Sequence, residues 1–431
     1  MEKLQKGEKR LLNAWAFYDW ANSVYSLVIS SSIFPLYFGV LYSKENPTIS
    51  FLGHDFKSTA LISYVTAFAF LTVAVLSPLL SGIADFVGNK KRFMQFFCYL
   101  GALSCIGLYW FTPENVYWGI SCFYFGLIGF WGSIVYYNSY LPDIAYEEQQ
   151  DALSAKGYSL GYFGSVILLL ACLGLILTRE TDEDSIVAMR LSFILTGIWW
   201  LLFSQYTFYY LPKGNKSNNK MTTHVLFNGF KELLKVQKQL FHNLALKRYL
   251  IAFFVYSMAV QTVMLVATYF GEQEINWSTN DEKTQGLIIS ILMIQLVAIL
   301  GAFLTSRLAF KIGNIKALLL INCIWAVICV FAFFVTEPIH FYVTAAFVGL
   351  VMGGIQSLSR STYSKYLPLT EDTTSYFSFY DVAEKIGIVI GMGIFATIDQ
   401  ISGSMRNAIV FLTAFFIIGI FLLIRVPKKI S

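Results

Sequence analysis

Polar side chains recur on one side of the first long apolar stretch of the chain. They follow one another at intervals of 3, 4 and 4 residues and therefore share one face of an α-helix: Asp19, Asn22, Ser26 and Ser30. A carboxylate inside an apolar helix is costly and normally faces a water-filled cavity or a bonded partner. The pattern predicts either a structural hydrogen bond between helices or a site that binds a proton or a polar solute.

A second group of charged residues falls in two late apolar stretches. Asp381 and Lys385 are four residues apart, in the acid-first order that favours an ion pair within a helix. Glu384 is then predicted to have no partner nearby in the sequence. Arg360 lies in the preceding stretch, with Gln356 on the same face. Because an unpaired charge in apolar surroundings is expensive, we expect these residues and the acid of the first stretch to form an inner gate network, or a proton or solute site.

Amide side chains in other apolar stretches are further candidates. Asn138 follows Tyr136 and Tyr137, and this trio either lines a cavity or packs in the core. The other amides are expected to form hydrogen bonds between helices, each contributing about 0.6–2 kcal/mol: Gln205, Gln261, Gln295 and Asn322. No cysteine pair has C-x-x-C spacing and the four histidines are scattered, so no metal and no cofactor is predicted.

The composition indicates what kind of protein must position these residues. Of the 431 residues, 56% are hydrophobic and only 13% are charged, with a mean hydropathy of +0.60. Ordinary soluble domains carry about 25% charged residues. A soluble enzyme, a disordered chain and a disulfide scaffold are therefore poor interpretations, and no nucleic-acid partner is indicated. The composition is typical of an all-α polytopic membrane protein.

Twelve apolar runs are long enough to cross a bilayer as helices, which takes about 20 residues. None shows the alternation of a membrane β-barrel. Six runs precede a hydrophilic segment and six follow it: 14–42, 58–84, 93–112, 116–140, 157–178 and 189–211, then 249–271, 285–310, 316–335, 339–367, 375–398 and 406–425. The sequence therefore predicts two six-helix bundles.

Lysine and arginine placement predicts the orientation of these helices. Basic residues concentrate in alternate connections and at both ends of the chain, whereas the opposite connections carry acidic clusters such as 180–184 and 272–282. The positive-inside rule then places both termini in the cytoplasm. The first span follows a short basic segment without a small-residue cleavage site, so we expect it to be retained in a bacterial cytoplasmic (inner) membrane.

The chain divides into two similar halves around a basic connector. We predict an N-terminal bundle over 1–211, a connector over 212–248 and a C-terminal bundle over 249–431. Apolar residues recur at helical spacing among lysines in the connector, which predicts an amphipathic helix on the inner membrane surface. Three landmarks repeat 225 or 226 residues apart: Gly88 with Gly313, Leu141-Pro142 with Leu367-Pro368, and Gly161 with Gly387.

The loop after the second span contains a recognisable motif. Gly82, Asp85, Gly88, Lys91 and Arg92 fit the pattern G-x-x-x-D-x-x-G-x-[RK]-[RK], which resembles the loop signature of the major facilitator superfamily. Gly88 allows a tight turn, and the carboxylate is able to accept hydrogen bonds at the inner face. The loop is interpreted as a gating element, the alternative being a basic loop with incidental glycines. The corresponding loop of the second half lacks the acid.

Longer blocks carry a more specific resemblance. Ala14–Ser23, Phe34–Phe38, Tyr137–Asp143, Gly157–Tyr162, Gly353–Ser361 and Phe379–Val382 resemble blocks of the vacuole-effluxer-like transporters. That family includes the fungal autophagy-related effluxer and a bacterial branch of unknown major facilitators. The resemblance implies the major facilitator fold, and fungal members are associated with release of amino acids into the cytosol.

These observations favour a secondary transporter of a small polar solute, amino acid or peptide-like, that works by alternating access with proton coupling. A functional monomer in contact with membrane lipid is expected. No G-x-x-x-x-G-K-[ST] segment is present, which argues against ATP-driven transport by this chain. The alternative is a non-transporting receptor or assembly protein that keeps the fold. A membrane enzyme is disfavoured because no motif for catalysis is present.

Overall fold

The structure is a computed structural model, and we describe residues 5–42, 48–213 and 225–427. The extreme ends of the predicted basic termini and the 214–224 part of the predicted connector lie outside these ranges. Within them the chain is almost entirely helical, and each of the twelve predicted apolar runs coincides with a helix. The α-helical ladder satisfies every backbone amide inside its own segment, which a bilayer requires.

The first half contains nine α-helical or helix-like segments in the expected places. Most agree with the predicted runs, but α7 begins ten residues earlier than predicted. Their bounds are α1 Lys9–Val24, a π-helix Tyr25–Ile33, α2 Phe34–Leu41, α3 Ser58–Val87, α4 Lys90–Gly107, α5 Val116–Ser139, α6 Leu141–Ile144, α7 Glu147–Leu177 and α8 Asp182–Tyr210. Two short 3₁₀ turns, Leu108–Trp110 and Pro113–Asn115, connect α4 to α5.

The second half begins with the amphipathic connector helix and continues with six long helices. Their bounds are α9 Val225–His242, α10 Leu244–Glu274, α11 Asn280–Ile312, α12 Asn314–Ala332, α13 Pro338–Tyr366, α14 Thr373–Ser402 and α15 Met405–Ile424. Among the described residues, eleven helices are long and apolar enough to cross a membrane. The helix at the predicted eleventh span, α14, is not one of the eleven, and it carries three charged side chains within five positions.

The first apolar run is one continuous rod whose middle part is a π-helix. The backbone widens at Tyr25 and returns to the α form at Phe34, with Pro35 in the first turn of α2. Long π-helical stretches are rare and often occur at functional sites. The predicted polar face is divided by this change: Asp19 and Asn22 are buried, whereas Ser26 and Ser30 in the π-helix are exposed.

A β-hairpin departs from the all-α prediction. Strands β1 Thr48–Phe51 and β2 His54–Lys57 pair in antiparallel register, with Phe51 opposite His54. Leu52 and Gly53 both have positive φ, the geometry of a two-residue turn that matches the twist of its strands. The Leu52 amide donates to the Tyr117 hydroxyl at 3.1 Å, so the start of α5 supports the turn.

The chain forms two compact units. The first contains Met1–Tyr140 and Leu160–Phe230, and the second contains Leu141–Ser159 and Lys231–Ser431. One feature of this partition was not predicted. The first part of α7 belongs to the second unit, although it precedes the predicted division at residue 211. The predicted bundle limits themselves stay a prediction.

Glycines allow close helix packing inside each unit. In the first unit a Cβ at Gly129 would meet the backbone of Gly101, so α5 and α4 touch there through their main chains. In the second unit a Cβ at Gly353 would meet the carbonyl oxygen of Ala298, and one at Gly301 would meet that of Leu350. Small residues at such crossings bring helices together in membrane proteins.

The predicted internal repeat has counterparts in the helix pairs of each unit. Gly88 and Gly313 both adopt positive φ where a helix ends. A Cβ added at Gly161 of α7 would meet Ser23 of α1. A Cβ added at Gly387 of α14 would lie 3.5 Å from the Met258 Cβ of α10. Equivalent glycines thus face equivalent helices in the two halves.

The connector helix α9 is amphipathic in its described part. Val236 and Leu240 are buried, while Phe230, Leu234 and Phe241 are exposed beside exposed lysines. Two polar contacts bind α9 to the start of α14. Lys235 pairs with Asp372 at 3.2 Å, and the Tyr376 hydroxyl donates to Gln239 Oε1 at 3.0 Å.

Candidate functional site

Asp19 is held by a tyrosine of another helix in the first unit. The Tyr137 hydroxyl of α5 donates to Asp19 Oδ2 at 2.8 Å, and the aspartate is only 6% exposed. Trp15, one turn before Asp19, stacks on the Tyr137 ring with centroids 4.4 Å apart. Its indole N–H also donates to the Tyr137 carbonyl oxygen at 2.8 Å. Tyr137 is therefore held by three contacts: its hydroxyl bonds Asp19, its ring stacks on Trp15, and its carbonyl oxygen accepts from the Trp15 indole. Asp19 is in turn held in place by the Tyr137 hydroxyl.

Two asparagines predicted as separate site candidates, Asn22 and Asn138, are also buried in the first unit. Asn22 Oδ1 accepts a hydrogen bond from Ser23 at 3.3 Å, and its Nδ2 is buried with no hydrogen-bond partner among the described residues. Asn138 is buried beside Tyr137 near the end of α5. Asp19 and both asparagines thus lie where α1 and α5 pack, whereas Ser26 and Ser30 are exposed.

Three charged side chains of α14 form a compact cluster, which we name the α14 triad: Asp381, Glu384 and Lys385. Lys385 Nζ lies 2.9 Å from Asp381 Oδ1 and 2.9 Å from Glu384 Oε2. The prediction of an Asp381–Lys385 pair is confirmed. The prediction that Glu384 has no local partner is wrong, because the long lysine side chain reaches the carboxylate of its neighbour in the sequence as well.

The members of the α14 triad differ in their access to solvent. The side chains of Asp381 and Lys385 are 4% and 1% exposed, while that of Glu384 is 17% exposed. Two carboxylates share one ammonium, so the triad has a formal charge of −1 when all three groups are ionised. A buried net charge is expensive, and the triad therefore favours any step that adds one positive charge.

Gln261 of α10 is the fourth member of this site. Its Nε2 donates to Glu384 Oε1 at 2.8 Å, so the exposed carboxylate has one amide and one ammonium donor. The sequence indicated only a general interhelical role for Gln261. No sequence signal could pair it with Glu384, because the two residues are 123 positions apart.

Gln356 of α13 lies beside the same helix α10. Its Nε2 approaches Met264 Sδ at 3.5 Å, and Met264 is one turn beyond Gln261. Gln261, Gln356 and Glu384 are all half-buried rather than buried. Three helices of the second unit, α10, α13 and α14, therefore present partly exposed polar side chains, which could contact a polar solute.

Arg360 binds to the start of α7 within the second unit. Its Nε donates to Ser154 Oγ at 2.9 Å, its Nη2 donates to the Ser154 carbonyl oxygen at 3.0 Å, and its guanidinium lies 4.2 Å from the Tyr158 ring centroid. Tyr380 of α14 lies within electrostatic reach of both Arg360 and Glu384. Arg360 thus contacts Ser154 and Tyr158 of α7, and its part in an inner gate network stays a prediction.

A second polar cluster near Arg360 was not predicted. Asp151 Oδ2 lies 2.5 Å from Lys365 Nζ, and Asp151 Oδ1 accepts from Asn314 Nδ2 at 2.8 Å. Asn314 also donates to Thr362 Oγ1 at 3.0 Å. The ion pair joins residues 214 positions apart, so only the folded chain reveals it. Together with Arg360, these residues bind the first part of α7 to α12 and α13.

The predicted gating loop forms a tight helix ending in the first unit. Gly88 has φ of +68°, and its amide donates to the carbonyl oxygens of Ala84 and Asp85, which confirms the turn. Gly82 is buried and Asp85 is half-buried. Lys91 Nζ donates to the Leu211 carbonyl oxygen at 2.9 Å, and the Arg92 amide donates to Asn89.

The neighbouring Lys90 has a comparable role in that loop. Its Nζ donates to the Ser139 carbonyl oxygen at 2.9 Å and lies 4.4 Å from the Tyr140 ring centroid. The basic residues of the loop therefore bind the ends of α5 and α8.

Among the described residues there is no group of three or more histidine, cysteine, aspartate or glutamate side chains that could hold a metal ion.

Comparisons with solved structures identify the fold. The outward-facing transporter FucP superimposes with a TM-score of 0.68 at 15% identity, over 97% of this chain and 99% of that chain. The proton:xylose symporter XylE superimposes with a TM-score of 0.72 at 14% identity, over 97% and 96%. Both belong to the major facilitator superfamily, and at such identity the likeness shows the fold alone.

Comparisons of sequence identify the family. The uncharacterized MFS-type transporter YxiO of Bacillus subtilis is 31% identical over 97% of this chain and 95% of its own length. Autophagy-related protein 22 of Yarrowia lipolytica is 23% identical over 89% of this chain and 80% of its own length. By its name, YxiO is a transporter of the major facilitator class rather than an enzyme. A family model described as vacuole effluxer Atg22 like matches residues 7–430, and the chain therefore belongs to that family of membrane transporters.

Proposed function

We propose that this protein is a secondary active transporter that moves a small polar solute across the bacterial cytoplasmic membrane by alternating access, coupled to protons. The observation that carries the proposal is the α14 triad. A fixed charge of −1 inside a bundle of apolar helices is costly to maintain, and a transport cycle that binds a proton there relieves that cost. Family membership supports transport itself.

The solute class follows from the polar groups and the family. Gln261, Gln356 and Glu384 offer amide and carboxylate groups, which suit the ammonium and hydrogen-bonding groups of an amino acid or a peptide-like compound. The family is described as that of a vacuole effluxer. XylE, which shares the fold, is a proton:xylose symporter, and proton coupling is therefore compatible with this architecture.

The proposal includes twelve spans, with α14 as the eleventh, arranged as two six-helix bundles with both termini in the cytoplasm. The protein works as a monomer in contact with membrane lipid. Alternating access requires the groups on the inner side to separate and rejoin. The candidates are the loop with Gly82, Asp85, Gly88, Lys91 and Arg92, and the contacts of Arg360 with the start of α7.

Transport by the purified protein tests this function. In proteoliposomes we expect an imposed pH gradient to drive uptake of at least one radiolabelled amino acid or dipeptide from a panel. Asp19→Asn and Glu384→Gln should each reduce the gradient-driven component at least tenfold while leaving solute exchange without a gradient measurable. Asp55→Asn and Glu371→Gln, which change exposed acids, serve as matched controls and should behave like the wild type.

Two outcomes would contradict the proposal. Uptake that ignores the pH gradient for every transported solute would remove proton coupling. Saturable binding of a solute that is never accumulated or released, under either gradient direction, would instead support the alternative of a non-transporting receptor with the same fold.

A further inference from the structure

The α14 triad contains two acids, and the structure distinguishes them. Both accept a hydrogen bond from Lys385 at 2.9 Å, so their distances to the shared ammonium do not separate them. Adding one proton to either carboxylate would bring the formal charge of the triad from −1 to zero. The question is which acid has a route to water and a hydrogen-bonding environment that suits both of its protonation states.

Access to water favours Glu384. Its side chain is 17% exposed, whereas that of Asp381 is 4% exposed. A coupling proton must enter from water and leave to water in each cycle. Of the two acids, Glu384 therefore has the more accessible carboxylate for proton exchange.

The hydrogen-bond partners also favour Glu384. An ionised Glu384 accepts from Gln261 Nε2 at 2.8 Å. After protonation the same amide is able to present its carbonyl oxygen by rotating about its last bond, because an amide side chain is both donor and acceptor. Gln261 thus satisfies Glu384 in both states without a change in the backbone.

Asp381 has no comparable partner. Its Oδ1 accepts from Lys385, and its Oδ2 is buried with no hydrogen-bond partner among the described residues. An ammonium carries donors only. A proton on Asp381 Oδ2 would find no acceptor among the described residues, whereas the adjacent ammonium favours the ionised carboxylate.

Few other titratable groups face Glu384. On α14 these are Asp381, Lys385 and Tyr380. Arg360 of α13, Tyr256 of α10 and Tyr158 of α7 act electrostatically on Tyr380. The only charged residue of α15 is Arg406, which pairs with Glu274 at 2.7 Å.

We propose that Glu384 is the group that binds and releases the coupling proton, that Gln261 holds it in both states, and that Asp381 remains ionised as the permanent counterion of Lys385. Binding converts the Glu384 carboxylate to a carboxylic acid and leaves a neutral Asp381–Lys385 pair. This inference rests on the proposed function, because it assigns the coupling site of that transport cycle.

Infrared spectroscopy tests the assignment without any solute. The full-length protein in lipid nanodiscs is titrated with acid, and the C=O stretching band of protonated carboxyl groups is followed. We expect the wild-type minus Glu384→Gln difference spectrum to contain one titrating C=O component, the Glu384 band. The same component should be retained in Asp381→Asn, with its midpoint at lower pH because one negative charge has gone. Glu371→Gln, at an exposed position, should match the wild type.

A second variant keeps the test informative if Glu384→Gln fails to fold. Gln261→Met removes the amide but preserves length, so the Glu384 band should persist and shift to higher wavenumber as its hydrogen bond is lost. A band that survives Glu384→Gln, that disappears in Asp381→Asn, or that is unchanged in Gln261→Met would overturn the assignment.

The two proposals fail separately. A wild-type protein whose uptake ignores the pH gradient, but whose Glu384 band titrates, would contradict the proposed coupling and leave the proton assignment standing. Gradient-driven uptake together with a band that persists in Glu384→Gln would leave the transport proposal standing and contradict the assignment.

Discussion

Each acid of the candidate sites has a defined donor beside it. Asp19 receives the Tyr137 hydroxyl, Glu384 receives the Gln261 amide, and Asp151 receives an ammonium. Charge-assisted hydrogen bonds of this kind are roughly twice as strong as neutral ones. At the scale of single residues, each of these carboxylates is therefore oriented by a specific hydrogen-bond or ion-pair donor.

The Tyr137 hydrogen bond should contribute measurably to stability. Tyr137→Phe leaves the buried Asp19 carboxylate without this donor, and hydrogen bonds to charged groups contribute about 1.5–3 kcal/mol. We expect a lower apparent melting temperature in detergent. Tyr25→Phe is the matched control, since the Tyr25 hydroxyl is buried with no hydrogen-bond partner among the described residues and its removal should change little. Equal effects of the two substitutions would contradict the role of Tyr137.

Sequence spacing predicts only the local part of these sites. The Asp381–Lys385 pair follows from a separation of four residues. The bond from Lys385 to Glu384 does not, because adjacent side chains on a helix normally point apart. The Gln261–Glu384 hydrogen bond and the Asp151–Lys365 ion pair each join residues more than a hundred positions apart in the sequence. Such contacts depend on helix packing, which no local pattern encodes.

At the scale of elements, glycine determines how closely α11 and α13 approach. Gly301, Gly349 and Gly353 each face the backbone of the other helix, so the two helices meet without intervening side chains. α13 carries Gln356 and Arg360 directly after Gly353. The close crossing therefore fixes the height and rotation of the residues that contact α10 and the start of α7.

Gly353→Ala should disturb this crossing. The added Cβ would meet the Ala298 carbonyl oxygen, which cannot move independently of its helix. Overpacking of this kind costs about 1–3 kcal/mol, and we expect reduced expression and a lower apparent melting temperature. Gly393→Ala in α14, where a Cβ would meet nothing within 4 Å, is the matched control. A Gly353→Ala protein as stable as Gly393→Ala would contradict the close crossing.

Hydrophobic length predicted every long helix, because a run of apolar residues has no other arrangement in a bilayer. Two departures from regular helix escaped prediction. The π-helix over Tyr25–Ile33 has an apolar sequence that is equally compatible with an α-helix. The hairpin over Thr48–Lys57 is short, and a Leu-Gly turn is weaker evidence for a hairpin than Asn-Gly.

At the scale of the whole molecule, the placement of charge predicts its orientation in the membrane. Basic side chains dominate the start of the chain, the loop after α3 and the connector helix α9, whereas acidic ones cluster before α8 and at the start of α11. The positive-inside rule then requires an even number of crossings between the two chain ends. On this prediction the charged helix α14 is one of the crossings.

Cysteine labelling in intact cells tests this topology. Cys323, the exposed cysteine of the described residues, is first replaced by serine. We expect Glu114→Cys and Glu272→Cys to react with an impermeant maleimide, and Lys6→Cys and Lys238→Cys to react only after the cells are lysed, because the first pair is placed outside and the second inside. All four positions are exposed. Reaction of Lys238→Cys in intact cells would refute the predicted orientation.

The partition within α7 determines what a divided chain would contain. A polypeptide that stops in the connector contains all of α7. Residues Leu141–Ser159, however, belong to the compact unit that is formed mostly by later residues. Ser154 and Asp151 would then lack Arg360 and Lys365, and those cations would lack their acceptors in the complementary fragment. Each fragment alone leaves these groups without their partners, so we expect the two halves, though built on a common plan, to fold together rather than as separate modules.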